Sequence, residues 1–286
     1  MSQHYQNDTL ADQHILITGG GTGLGFAMAS RFAELGAKVT MNGRREEKLN
    51  EAAKTIQDAG GVANGVTCNV RDAESVEACI AQAEEAQGPL TGLVNNAAAN
   101  FLSDTATLSP NGFDSIVQTN LYGTFYCTQA CGRRWLERKT PGSVISIATT
   151  YTETGSAFVV PSAVSKAGIV TMMNSLATEW GPYGIRLNVI TPGPIPTDGA
   201  WDRLVPDPSM EEKFKKRVAL RRFGEPSEIA DLAVFLMSDM ASYITGENIA
   251  LDGGERLNGG LFNPFTSMPR EQILGMLEMM RGRKGR

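Results

Sequence analysis

Short apolar runs recur along the chain, each bounded by glycine or by polar turn residues. Seven of them read as strands: HILITGG, AKVTMNGR, GVTCNV, GLVNNAA, GSVISIA, IRLNVIT and ENIALDGG. Between them, apolar positions repeat at helical spacing near 23–35, 45–59, 72–87, 111–138, 161–181 and 226–238. Strands alternating with helices predict a parallel sheet with right-handed helical crossovers. The expected architecture is α/β: a Rossmann-like, doubly wound parallel sheet of about seven strands in a single domain, 1–286. A small lid is expected near 195–222 and a C-terminal helical arm near 255–286, where PREQILGMLEMM reads as an amphipathic helix. Neither an internal repeat nor a low-complexity linker divides the chain.

Composition narrows the function. With 286 residues, 42% of them hydrophobic, the chain can bury a sizeable core. A net charge of −5 argues against broad nucleic-acid binding but not against a small phosphorylated ligand. The cysteines, Cys68, Cys79, Cys127 and Cys131, form no CxxC pair; Cys127 and Cys131 share a helix face and read as core residues. The two histidines, His4 and His14, both fall in the N-terminal region, which argues against a histidine-based triad or metal site. No metal is therefore expected. No apolar run is long enough to span a bilayer, the N-terminal MSQHYQNDTLADQ lacks a signal peptide's apolar core, and the C-terminus is not a peroxisomal address. A cytoplasmic, reducing setting without a membrane partner is the expectation.

The candidate chemistry gathers just beyond the C-terminal ends of the strands, where ligands bind in open α/β sheets. The first strand runs into Thr18, Gly19, Gly20, Gly21, Thr22, Gly23, Leu24 and Gly25. Glycines there let the backbone approach a diphosphate, and the following helix offers it free N–H groups. The TGGGTGLG spacing resembles the short-chain dehydrogenase/reductase superfamily. The second strand ends in Arg44 and Arg45 with no acidic residue near by. Two guanidiniums can pair with a 2′-phosphate, which points to NADP(H); the competing reading is a solvated basic turn. Asn69 and Val70, at the end of the third strand, fall where the superfamily holds the adenine, with Asn69 in place of the usual aspartate. Asn96 and Ala97 belong to an NNAA run similar to the superfamily's NNAG, which lines the nicotinamide side. Asn100 lies past the fourth strand, either as a donor to a substrate oxygen or as a turn asparagine. Asn120, in TNLYGTF on the long helix after Pro110, matches the superfamily's helix asparagine that supports a water near the lysine; it could also relieve a helix irregularity.

The stretch Thr149–Lys166, TTYTETGSAFVVPSAVSK, is the most informative. Lys166 stands one helical turn after Ser162, where the superfamily carries its tyrosine. A phenol near an ammonium can act as an acid, and serine cannot easily take that role. A tyrosine does occur, but at Tyr151, on the expected loop just after the fifth strand.

NNAAANF, ATTYTETGSAFVVPSAVSKAG, NVITPGPIPT and LDGGERL together resemble 2,4-dienoyl-CoA reductase of the mitochondrial type, over roughly residues 12–280. The resemblance implies an NADPH-dependent reduction of a 2,4-dienoyl-CoA to a 3-enoyl-CoA in unsaturated fatty acid β-oxidation, by a homotetramer. It implies that Tyr151 and Asn100 hydrogen-bond the thioester oxygen, that Lys166 binds the nicotinamide ribose, and that Ser162 orders this network. It further implies that Pro192, Gly193, Pro194 and Ile195 close on the nicotinamide carboxamide. Arg71 and Arg203 match positions that contact CoA; Phe101 and Ser109 match substrate positions. Rival readings are a reductase of 2-enoyl or 3-ketoacyl thioesters or of another carbonyl compound, and a non-catalytic NADP-binding protein of the same fold.

Overall fold

A computed structural model describes residues 5–197 and 209–282. Arg203, the 198–208 part of the expected lid and the basic residues beyond Gly282 lie outside the described residues. In chain order the elements are β1 (His14–Thr18), α1 (Gly23–Glu34), β2 (Lys38–Gly43), α2 (Glu46–Asp58), β3 (Val62–Thr67), α3 (Ala73–Gln87) and β4 (Gly92–Asn95). Then come α4 (Pro110–Val117), a π-helical segment (Gln118–Tyr122), α5 (Gly123–Arg138), β5 (Gly142–Ile147), α6 (Tyr151–Thr154), α7 (Val160–Trp180) and β6 (Ile185–Pro192). The chain continues through α8 (Ser209–Arg217), α9 (Pro226–Met237), β7 (Asn248–Leu251) and α10 (Arg270–Gly282).

The seven strands form one sheet in the order β3-β2-β1-β4-β5-β6-β7, parallel throughout. Every residue of β1, β4 and β5 is buried, which is why their sequences are apolar without alternation. One apolar layer, built around Met28, Phe32 and Val234, covers one face with α1 and α9. The other, around Ile80, Trp135 and Met173, packs α3, α5 and α7 on the opposite face. Both cysteines of α5, Cys127 and Cys131, are buried in that second layer. Trp135 anchors it by donating from Nε1 to Leu90 O at 2.7 Å. Helix starts follow local chemistry: Asp72 caps α3 through Glu74 N, and Ser109 with Pro110 opens α4.

Three expectations shift. The third strand lies at Val62–Thr67 and shares only Gly65–Thr67 with the expected GVTCNV, because its register is set by pairing Lys38 with Val62 through Gly43 with Thr67. Cys68 and Val70 lie beyond the strand and are buried in the second apolar layer, although Cys68 N still donates to Gly43 O at 2.9 Å. The long helix after Pro110 is broken by the π-helical turn at Gln118–Tyr122. Tyr151 starts a one-turn helix, α6, where a loop was expected. The expected amphipathic helix of the arm is present as α10, and its Leu274, Leu277 and Met279 are exposed.

Candidate active site

The strand order reverses between β1 and β4, and the crevice at their C-terminal ends is the ligand position of such sheets. Side chains lace its two lips together. Thr18 Oγ1 accepts from Asn96 N at 3.0 Å and Ala97 N at 2.9 Å, while Asn96 Nδ2 donates to Thr18 O at 3.0 Å and Gly19 O at 3.2 Å. Asn42, buried at the end of β2, adds a tether that its sequence position alone did not suggest: its backbone carbonyl accepts from Gly20 N at 3.2 Å, and its Oδ1 from Gly19 N at 3.4 Å. A buried polar residue closing a parallel strand was the available signal.

The turn from Gly19 to Gly25 fits a diphosphate. Gly23 has φ +56°, and a Cβ at Gly25 would meet Gly19 O at 2.5 Å, so a side chain would push helix and turn apart. Thr22, the N-cap of α1, makes no side-chain capping bond, leaving the first-turn N–H groups for an anion. Gly21 and Leu24 complete the turn. Arg44 and Arg45 are exposed at the start of α2, and their side chains form no hydrogen bond or ion pair among the described residues. Asn69 is exposed; its Oδ1, the acceptor expected for adenine, receives Arg71 N at 3.3 Å. Val70 is buried against Gly123. Across the crevice, Gly193 packs against Asp252 so closely that a Cβ would lie 2.7 Å from its Cα. The segment Pro192–Ile195 thus descends from the end of β6 towards Thr197, which rests against Gly23.

At the centre, Tyr151 Oη lies 3.0 Å from Ser162 Oγ and accepts from Asn100 Nδ2 at 3.3 Å. Tyr151 is half-buried, Asn100 exposed and Ser162 only 2% exposed. Lys166, one turn further along α7, is buried and donates from Nζ to Ile147 O, at the end of β5. Burial lowers its ammonium pKa to about 8. Asn120 is fully buried, and its amide grips Ala99 twice: Oδ1 accepts Ala99 N at 2.8 Å and Nδ2 donates to Ala99 O at 3.1 Å. The π-helical turn therefore holds the loop that presents Asn100, and Asn120 sits at the helix irregularity that its position suggested. Nδ2 also reaches Ser165 Oγ at 3.2 Å. Ser165 was not singled out beforehand, although it shares the buried face of α7 with Ser162.

The remaining positions lie at the rim. Ser109 Oγ accepts Gly112 N at 3.1 Å as the cap of α4, and the Phe101 ring faces the same glycine. Arg71 is exposed and bonded to Gln118. His14 stands at the far end of β1, with Nδ1 2.7 Å from Gly88 O and Nε2 2.9 Å from Thr40 Oγ1. Among the described residues no cluster of histidine, cysteine or carboxylate side chains could hold a metal, and no helix is long and apolar enough to cross a membrane.

A glycine turn at a helix N-terminus, facing a hydroxyl–lysine pair across the switch point of a parallel sheet, defines an oxidoreductase that uses a nicotinamide dinucleotide. The comparisons with known proteins agree. The family model described as enoyl-(acyl carrier protein) reductase matches residues 19–255. The chain is 43% identical over 245 residues to a Bacillus subtilis (strain 168) protein named "Probable 2,4-dienoyl-CoA reductase [(2E)-enoyl-CoA-producing]", covering 85% of this chain and 96% of that one. It is 41% identical over 278 residues to a Caenorhabditis elegans protein named "Probable 2,4-dienoyl-CoA reductase 3 [(3E)-enoyl-CoA-producing]", covering 95% and 90%. A solved gluconate 5-dehydrogenase from Burkholderia cenocepacia J2315, in complex with NADP and tartrate, is 29% identical with a TM-score of 0.82 over 88% of this chain and 98% of that one. The chain belongs to the short-chain dehydrogenase/reductase family.

Proposed function

We propose that the protein reduces 2,4-dienoyl-CoA thioesters to 3-enoyl-CoA with NADPH. The observation that carries this reading is the convergence of Tyr151 and Asn100, 3.3 Å apart, on a site whose helix carries Ser162 one turn before the lysine. A carbonyl reductase needs an acid on that helix to protonate an alkoxide. Reduction of a conjugated thioester needs donors that stabilise an enolate oxygen instead. Both the Bacillus and the Caenorhabditis relative carry the name 2,4-dienoyl-CoA reductase; the Caenorhabditis name gives the (3E)-enoyl-CoA product proposed here, whereas the Bacillus name gives a (2E)-enoyl-CoA product.

In this reading Asn100 Nδ2 and the Tyr151 hydroxyl both donate to the thioester oxygen, with Ser162 donating to Tyr151 Oη in turn. When bound, the cofactor supplies the hydride that adds at the far carbon of the diene. The negative charge then spreads onto the thioester oxygen, where the two donors hold it. A proton from water at the α carbon leaves the double bond between the β and γ carbons. Lys166 binds the nicotinamide ribose, and Arg44 and Arg45 pair with the 2′-phosphate. The assembly is a cytoplasmic homotetramer.

The test offers the protein NADPH with a 2,4-dienoyl-CoA, a 2-enoyl-CoA and a 3-ketoacyl-CoA while NADPH absorbance is followed. Oxidation with the dienoyl substrate, and NMR of a 3-enoyl product, are expected. Oxidation only with the second or third substrate rejects the reading. NADPH binding without any oxidation points to a non-catalytic role.

A further inference from the structure

The π-helical turn also carries Gln118, whose side chain holds the exposed Arg71. Arg71 donates from both Nε, at 3.1 Å, and Nη2 to the single acceptor Gln118 Oε1. Its backbone N–H is held by Asn69 Oδ1 at 3.3 Å. Other arginines of this protein are held by carboxylates: Arg133 by Glu77, Arg138 by Glu84, Arg222 by Glu228. Arg71 forms no ion pair among the described residues. A carboxylate would orient the guanidinium and cancel its charge; an amide oxygen orients it and leaves the positive charge available. Arg71 follows Val70, which packs on Gly123 where the π turn ends, so the held arginine stands on the rim of the crevice.

We infer that Gln118 is a positioning residue for the substrate's CoA moiety: it aims Arg71, still fully charged, at a CoA phosphate. This inference rests on the dienoyl-CoA reading. It is tested with Gln118→Ala and Gln118→Glu, each assayed with a 2,4-dienoyl-CoA and with the same acyl group on N-acetylcysteamine, which has no phosphate. Both variants are expected to raise KM for the CoA thioester about threefold to fivefold, the range for a solvent-exposed charge contact, with little change in kcat. KM for the N-acetylcysteamine thioester should stay at the wild-type value. Gln118→Glu should not rescue, because its carboxylate holds Arg71 but neutralises it. The wild-type KM for the CoA thioester should also rise more steeply with salt than that of either variant.

Equal changes for both thioesters would overturn the inference and make Gln118 a structural residue of the π turn. So would no change for either, rescue by Gln118→Glu, or a weaker NADPH Kd with an unchanged substrate KM, which would assign Arg71 to the cofactor. Wild-type protein inert towards both dienoyl thioesters would defeat the functional reading first, and this inference with it.

Discussion

Replacing Tyr151 with phenylalanine removes one oxygen and leaves the ring. In the structure that oxygen is 3.0 Å from Ser162 Oγ and 3.3 Å from Asn100 Nδ2, so the change acts on the centre of the site and not on the glycine turn. Two costs separate by size. Loss of one oxyanion donor lowers kcat by about 10²–10³, or about 3–4 kcal/mol of transition-state stabilisation. The folded state loses a neutral hydrogen bond and leaves the buried Ser162 hydroxyl without its Tyr151 partner, about 1–3 kcal/mol and smaller than the catalytic loss. Single-turnover oxidation of bound NADPH with saturating dienoyl-CoA measures the first effect. Urea denaturation measures the second, and titration of NADPH fluorescence shows whether cofactor binding survives. Ser162→Ala, which spares the phenol, should lose about tenfold in kcat, because the phenol keeps its proton but loses its orientation. A Tyr151→Phe turnover within about threefold of wild type would refute the reasoning, and so would a fall in rate matched by an equal loss of NADPH affinity.

Other measurements follow from named contacts. Arg44→Ala should weaken NADPH about tenfold or more and leave NADH nearly unchanged, as measured by fluorescence titration of both cofactors. Lys166 has its pKa lowered from 10.5 to about 8 by burial, so between those values the unfolded chain holds the proton that the folded chain releases. Stability from this group therefore rises as pH climbs through that window, by on the order of 3 kcal/mol at most. Urea midpoints of wild type and Lys166→Met, compared at about pH 7 and about pH 10, should show the rise only where the lysine is present. Gly132→Ala puts a methyl 2.3 Å from the ring of the buried Trp180 and should cost about 1–3 kcal/mol, read as a lower melting temperature with the site chemistry intact.

Much of this protein could be read from the chain alone, for a local reason. Buried parallel strands are apolar over consecutive positions, and helices repeat every three or four residues, so most of the strands and the main helices announce themselves within short windows. The glycine turn is legible because backbone approach to a phosphate demands missing side chains in a row. Ser162 and Lys166 fall on one face of α7 by helical spacing, so the absence of a phenol from that face was visible too. What the windows could not show are meetings between distant segments. The third strand was placed too late because burial of Cys68 and Val70 mimics a strand, while the register comes from pairing with β2. Asn120 reaches Ala99 across 21 residues, and Tyr151 reaches Asn100 across 51, only because a π-helical turn and a one-turn helix bring them round. The sequence by itself determined the class of fold and the chemical groups available to it. The tertiary structure decided which of those groups meet, because hydrogen bonds depend on positions in space that no local periodicity encodes.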